Sequence, residues 1–498
     1  MASSRDGLFL GIDVGTQSTK ALVLDAATQQ VVGRGAVAYG LIEGLPPGAM
    51  EQHPQTWIDA MATASRQALL GVDANRVRAI GVSGQQHGAV VLDERDDVVR
   101  PAKLWCDTST HDEAALLSKR LSRPVPTGFT ASKLVWLKQH EPHNWRRARR
   151  VMLPHDYVNL RLTGEFATEC GDASGTGYFD VARRAFDLEA AAAIDPALPS
   201  MLPRMLQAGE PIGRLSAHGA QLLGVPMGAL VSSGGGDNMM AAIGSGAASD
   251  GVVVISLGTS GTVFVRSSSP VIDRGGLVAP FCSSDGAWLP LMCVMNLTGV
   301  TESVRALTGL SHAELTRRAS AVGWGSGGLC WIPFLNGERV PDLPLATGTL
   351  LGMRSDNLSP GHLYRSALEG TSCNLALSAL RLASLGVPLR EVRLCGGASK
   401  NPLWRSVLAD LLDAPVRVVA EPEAAALGAA IQALWTLRRH EGEAVSCADV
   451  ASPFVRTEGE AVQPSRDRSA AANVLRAFAD AVEQRHGVRV AEPRGTAT

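Results

Sequence analysis

Two stretches of the chain break an apolar run with Gly-Thr: Ile12-Asp13-Val14-Gly15-Thr16-Gln17-Ser18-Thr19 and Ile255-Ser256-Leu257-Gly258-Thr259-Ser260-Gly261-Thr262. A Gly-Thr tip exposes backbone N–H groups and a hydroxyl, and glycine tolerates the dihedrals that aim several amides at one anion. The pair of tips predicts a phosphate chain held between two lobes. Asp13 is different in kind: a carboxylate inside an apolar strand is costly without donors or a cation. A magnesium ion bridging to phosphates, largely through water, would supply that partner.

Three further segments carry chemistry. In Gly234-Gly235-Gly236-Asp237-Asn238 an apolar strand ending at Val231 gives way to three glycines and then a helix. Asp237 reads either as a helix N-cap or as an acid presented to a cleft, kept ionised by the helix dipole. An ordinary cap needs no glycines, which favours the second reading. In Gly81-Val82-Ser83-Gly84-Gln85-Gln86-His87-Gly88 a buried strand runs into amide and imidazole groups, which both donate and accept and so suit a polyhydroxylated ligand. A lone histidine after a strand is also a common structural residue. Cys395-Gly396-Gly397-Ala398-Ser399-Lys400-Asn401 lies between a strand and a helix, where small residues admit a ring or a phosphate against the backbone. No P-loop, His-Glu-x-x-His or dinucleotide fingerprint is present.

The elements that must position these residues alternate. Apolar periodicity predicts strands near 8–14, 19–25, 31–39 and 77–82 around a helix from His53 to Leu70. A second set has strands at 252–257, 263–265, 392–395 and 416–419, with helices over 402–412 and 423–434. The Gly-Thr motifs start about half of the 498 residues apart, as a duplicated domain would place them. The expected architecture is α/β in two lobes, residues 1–247 and 248–490, with a flexible tail over 491–498 and a hinge in Gly244-Ser245-Gly246-Ala247-Ala248-Ser249.

Composition narrows the function classes. With 46 basic and 48 acidic residues there is no field to hold nucleic acid, and the basic run at 146–150 reads as a solvated helix end. No apolar run reaches membrane-spanning length, and the first strand begins by Leu8, leaving no room for a signal peptide. The eight cysteines lack Cys-x-x-Cys spacing and read as free thiols. A cytoplasmic protein with small-molecule partners is expected, and apolar helices leave a homodimer open.

These pieces, in this order, resemble the FGGY carbohydrate kinases. Two longer segments carry the resemblance further: Gly128-Phe129-Thr130-Ala131-Ser132-Lys133-Leu134-Val135-Trp136-Leu137-Lys138-Gln139-His140, and Gly348-Thr349-Leu350-Leu351-Gly352-Met353 with 362–369 behind it. By spacing alone Lys133, Trp136 and Leu137 are one face of an amphipathic helix. The likeness covers about Leu8 to His486. It implies two duplicated actin-like (ribonuclease H-like) lobes facing a cleft, and transfer of phosphate from ATP with Mg²⁺ to a sugar.

Gln86-His87-Gly88, Leu153-Pro154-His155-Asp156-Tyr157, Asp172-Ala173-Ser174-Gly175-Thr176 and Asn336-Gly337-Glu338-Arg339 are most similar to members acting on ketopentoses, so D-xylulose is the expected acceptor. D-ribulose, L-ribulose and gluconate are the alternative acceptors, and a non-catalytic nucleotide-binding sugar sensor is the alternative to a kinase. The resemblance makes Asp237 the general base and places Asp13 at the metal. Gln86, His87, Trp105, Asp107 and Asn238 become sugar contacts. Nucleotide contacts fall on Thr16, Gln17, Lys20, Gly258, Thr259, Gly396, Gly397 and Asn401. Two positions depart from the pattern: Trp105-Cys106-Asp107 lacks the basic residue that usually comes next, and Gln86 is often methionine in those members.

Overall fold

The computed structural model describes residues 6–492. In the first half, strands β1 (Leu8–Val14), β2 (Ser18–Asp25) and β3 (Gln30–Ala38) form an antiparallel meander, followed by helix α1 (Pro54–Ala68). α1 starts on a proline, tolerated in a first turn whose N–H groups have no helical partner anyway, and buries Trp57, Ile58, Met61, Ala64 and Ala68 along one stripe. β4 (Val77–Gly84) adds in parallel to β1. Helices α2 (Thr130–His140), α3 (Pro154–Thr163) and α4 (Cys170–Ala173) lead to β5 (Leu230–Ser232), parallel to β4, and to α5 (Asp237–Ser245).

The second half repeats the plan. β6 (Val252–Leu257), β7 (Gly261–Val265) and β8 (Trp288–Val294) make the antiparallel meander. The long helix α6 (Pro360–Ser384) then leads to β9 (Glu391–Cys395), parallel to β6, and after α7 (Pro402–Leu412) comes β10 (Val416–Val419), parallel to β9. Each set sits in a seven-stranded sheet, ordered β5-β4-β1-β2-β3 in one and β10-β9-β6-β7-β8 in the other. The duplication expected from the Gly-Thr motifs is therefore a duplication of topology.

The last large helix, α8 (Ala424–His440), does not stay with its own half. It packs on β1, β4 and α5, and the core between the sheets mixes Phe9, Leu22 and Ala79 with Val254, Phe264 and Leu289 around α5 and α8. A helix apolar on every side belongs in such a layer, and Ala424 to Leu437 is buried almost without interruption. The two outer cores lie on the far faces of the sheets.

The segment expected as a hinge, 244–249, begins at a packing point. Gly244 ends the last turn of α5, and a Cβ there would lie 1.9 Å from the Ala424 carbonyl oxygen. Gly428 answers it from α8, where a Cβ would lie 1.8 Å from the Met240 carbonyl oxygen. Glycine serves here to bring two helix backbones together. Gly428→Ala is expected to cost about 1–3 kcal/mol through overpacking, measured as a lowered urea midpoint with an unchanged slope. Of the expected tail, 493–498 lies outside the described residues, while Ala491 is buried against the second core.

Candidate active site

Parallel strands present the residues beyond them at their carboxyl ends, and that is where the first-half residues gather. Asp13 lies near the end of β1 beside Ser83 of β4, whose hydroxyl donates to Asp13 Oδ1 at 2.7 Å. Gly235–Gly236 continues alongside Ser83–Gly84, which brings Asp237 to the same edge. Gln86 and His87 come directly after β4, and Asn238 Nδ2 donates to Gln86 Oε1 at 2.8 Å. Sequence neighbours from three strands thus meet at one place.

Asp237 occupies the first turn of α5, with Gly236 as the N-cap and no capping bond from a side chain. Its Oδ1 accepts from the Asn238 N–H at 2.7 Å and from Asn238 Nδ2 at 3.0 Å. The N-cap reading is set aside. Against the helix dipole, burial, then the carboxylates of Asp13 and Asp172, pushes Asp237 up to about 8. Burial likewise raises Asp13, against the hydrogen bond from Ser83 and the charge of Lys20.

Magnesium takes an oxygen-rich, partly hydrated donor set, which a carboxylate beside the phosphate oxygens of a nucleotide would supply. A half-buried carboxylate with a single donated bond fits that role.

Two of the residues expected to contact a sugar, Gln86 and His87, are neutral groups. His87 stacks on Phe129 (centroids 4.7 Å apart) and on Phe281 from the second half (5.7 Å). Burial, then Lys133 and Arg339, holds its imidazole down to about 3, so the ring is neutral. Gln86 Nε2 is buried without a protein partner. Lys133 is no surface face of a helix: it is fully buried and donates to the carbonyls of His87, Gly128 and Phe129. Burial draws its ammonium down to about 7.

Several expected contacts do other work. Asp107 is fully buried, and its two oxygens accept from Met50 N–H, Lys103 Nζ, Ser109 N–H and Ser109 Oγ. Four donors engage the carboxylate, and through them Asp107 shapes the loop behind Trp105. Trp105 Nε1 donates to Thr16 Oγ1 at 2.9 Å, and that hydroxyl donates to Gln85 Oε1. The Thr16 hydroxyl is thereby tied to the Trp105 loop and to Gln85. In both tips the glycine N–H turns inward, Gly15 to Ser18 O and Gly258 to Ser260 O, because the hairpin closes on itself; Gln17 and Thr259 remain exposed. Lys20 pairs with Glu423 at 2.6 Å, just before α8.

The second-half residues gather at the matching edge. Gly396 and Gly397 are exposed after β9, and a Cβ on Gly396 would lie 2.6 Å from the Leu257 carbonyl oxygen, next to Gly258. Asn401 Oδ1 caps α7 by accepting from the N–H groups of Leu403 and Trp404, while its Nδ2 donates to Thr316. Its side chain is spent on the helix, as the Asn-Pro start of an amphipathic run signals.

Beneath the triple glycine lies a layer that the spacing of residues did not reveal. His155 Nδ1 sits 2.6 Å from Asp172 Oδ2, and Nε2 lies 3.1 Å from Asp156 Oδ1, all three side chains fully buried. Burial alone would lower His155, but Asp156 and Asp172 outweigh it and hold the imidazolium up to about 9. Glu169 accepts from the N–H groups of Gly171 and Asp172, and burial raises it to about 7. A buried cation answers a ring of acids under the Asp237 turn.

The FGGY family of carbohydrate kinases matches twice, its N-terminal domain over residues 8–244 and its C-terminal domain over 253–437. A xylulose kinase of Haemophilus influenzae is 41% identical, over 88% of this chain and 92% of its own. The crystal structure of xylulose kinase from Bifidobacterium adolescentis, 31% identical, superposes with a TM-score of 0.82 over 96% of this chain and 99% of that one. The gluconate kinase from Lactobacillus acidophilus, 22% identical, shares the fold with a TM-score of 0.87 over 98% and 99%. With both domains matched in order, the chain belongs to the FGGY family of carbohydrate kinases.

Proposed function

We propose that this kinase transfers the γ-phosphoryl group of ATP to the terminal hydroxyl of D-xylulose, giving D-xylulose 5-phosphate and ADP. The observation that carries the reading is Asp237, set between Asp13 and the amide pair of Gln86 and Asn238. Its carboxylate takes the hydroxyl proton as the sugar oxygen bonds to the γ-phosphorus and the bond to the β–γ bridging oxygen breaks. Phosphoryl transfer through a loose transition state is governed by alignment and charge stabilisation, with the base as one contributor. Magnesium, when bound, neutralises charge on the phosphates, and Asp13 is the residue that would hold it. Gly258, Thr259, Gly396 and Gly397 form the edge proposed to receive the nucleotide.

A neutral polyol suits the sugar wall: Gln86, Asn238 and a neutral His87 donate and accept, while Lys133 already serves three carbonyls. The name of the Haemophilus relative points the same way. Domains divided near 247 and a cytoplasmic setting, where ATP and pentoses meet, complete the proposal.

The test is ADP release with ATP and magnesium across D-xylulose, D-ribulose, L-ribulose, gluconate and glycerol. D-xylulose is expected to give the highest kcat/KM. A higher value for any other acceptor overturns the assignment of the sugar and moves attention to Gln86 and the Trp105 loop.

A further inference from the structure

Three consecutive glycines are the most permissive tripeptide a chain can place before a base, since each has far more conformations to lose than any other residue. A proton acceptor in phosphoryl transfer must nevertheless be held to a fraction of an ångström. Something outside the glycines has to fix them.

A side chain from α8 does so. Gln432, in the middle of that helix, is fully buried and spends both ends of its amide on this one turn. Its Oε1 accepts from the Gly234 N–H at 2.9 Å and from Ser232 Oγ at 2.8 Å. Its Nε2 donates to the Gly234 carbonyl at 2.9 Å and to Ser233 Oγ at 3.2 Å. The side-chain amide therefore pairs with both polar groups of Gly234 as a neighbouring strand would.

Gly234 needs that grip: its φ is +71°, and a Cβ there would lie 2.4 Å from the Val82 carbonyl oxygen. From the opposite side Asn159 Nδ2 donates to the Ser233 carbonyl at 2.9 Å. Gln432 is the one amide in the apolar run from Ala424 to Trp435, and burying it is unfavourable unless its hydrogen bonds are made.

We propose that Gln432 is a positioning residue for the reaction: it holds the Gly234 turn so that Asp237 meets the sugar hydroxyl, and it does so from a helix supplied by the other half of the chain. This rests on the reading of Asp237 as the base. Gln432 touches neither substrate nor nucleotide in this assignment, so its loss acts on turnover and leaves binding alone.

The experiment compares Gln432→Leu and Gln432→Met, both compatible with an apolar layer, with Asp237→Asn in the full-length protein. Active enzyme is counted by ADP-binding stoichiometry, and kcat and KM for D-xylulose are read well below each variant's Tm. The expected result is a kcat lowered roughly 10- to 100-fold in both Gln432 variants, with KM and ADP affinity little changed. A purely structural role would lower Tm and leave the kcat of the folded fraction near wild type. Normal kcat in both Gln432 variants beside an inactive Asp237→Asn overturns this proposal alone. Normal kcat in Asp237→Asn overturns the base assignment and this proposal with it.

Discussion

Asp237→Asn is expected to lower kcat by about 10²- to 10⁴-fold, the usual contribution of a positioned general base, while ADP still binds as in the wild type. Asparagine keeps the size of the side chain and the neighbouring bonds to Asn238, so the loss reports on proton acceptance. The pH profile supplies the sign. Burial and the charges of Asp13 and Asp172 set Asp237 at about 8 in the free enzyme, and a base must be deprotonated to act. The kcat/KM of the wild type should therefore rise with pH and level off above about 8. The residual activity of Asp237→Asn should lack that rise. A variant with wild-type turnover would remove Asp237 from the mechanism.

His155→Leu is expected to be the most damaging single change to stability, by about 3–5 kcal/mol, because it strands buried carboxylates without their cation. Asp172 and Asp156 both face that ring from within the protein, and neither can reach water. Removing the acid as well, in His155→Leu with Asp172→Leu, should restore much of the loss, since apolar groups of similar volume replace a buried pair at little cost. Urea unfolding measures both. The pH dependence comes from the raised His155: its contribution is complete below about 6.5 and is lost as pH rises through about 9. Asp156 at about 6 and Glu169 at about 7, both raised by burial, act in the same direction from about pH 4 upward, so the stability supplied by this cluster should fall between about pH 4 and 9, while His87, lowered to about 3, and Lys133, lowered to about 7, act oppositely below about pH 6.5 and above about pH 7. Equal stability of the single variant and the wild type would mean that the acids are protonated and the pair carries no charge.

Much of the fold was legible because it is local. The helix over 402–412 and the strand over 416–419 coincide with the structure, since an Asn-Pro start and an alternating apolar run each carry their own boundary. The repeated Gly-Thr hairpins disclosed the duplication because hairpins are encoded in a few neighbouring residues. The features that stayed hidden depend on distant parts of the chain. The close packing of Gly244 stayed hidden because small residues serve flexibility and close packing equally well, and the contact depends on Ala424 far along the chain.

The candidate site divided along the same line. Asp237, Asn238 and Gln86 share one edge because the strands bearing them are neighbours. Asp107 and Asn401 carried the right chemistry at suggestive places, yet a buried loop and a helix start had prior claims on their side chains. Lys133, His155 and Gln432 are buried polar residues whose partners lie far off or across an irregular turn. A single glutamine in an alanine-rich apolar helix was the one such signal the sequence displayed, and it marks a side chain whose amide is bonded at both ends.

The placement of α8 reaches back to how this protein is made. A chain emerging from the ribosome completes the first sheet by about residue 236, yet the face of β1 and β4 lined by Gly11 and Gly81 is covered only when Ala426 and Ala429 arrive. At ordinary synthesis rates that interval is on the order of ten seconds or more. Through it an apolar sheet face stands open, and the turn bearing Asp237 lacks the amide that grips it. The first lobe thus waits on the second for its own completion, and a fragment ending near 247 should aggregate in place of folding as an independent sugar-binding unit.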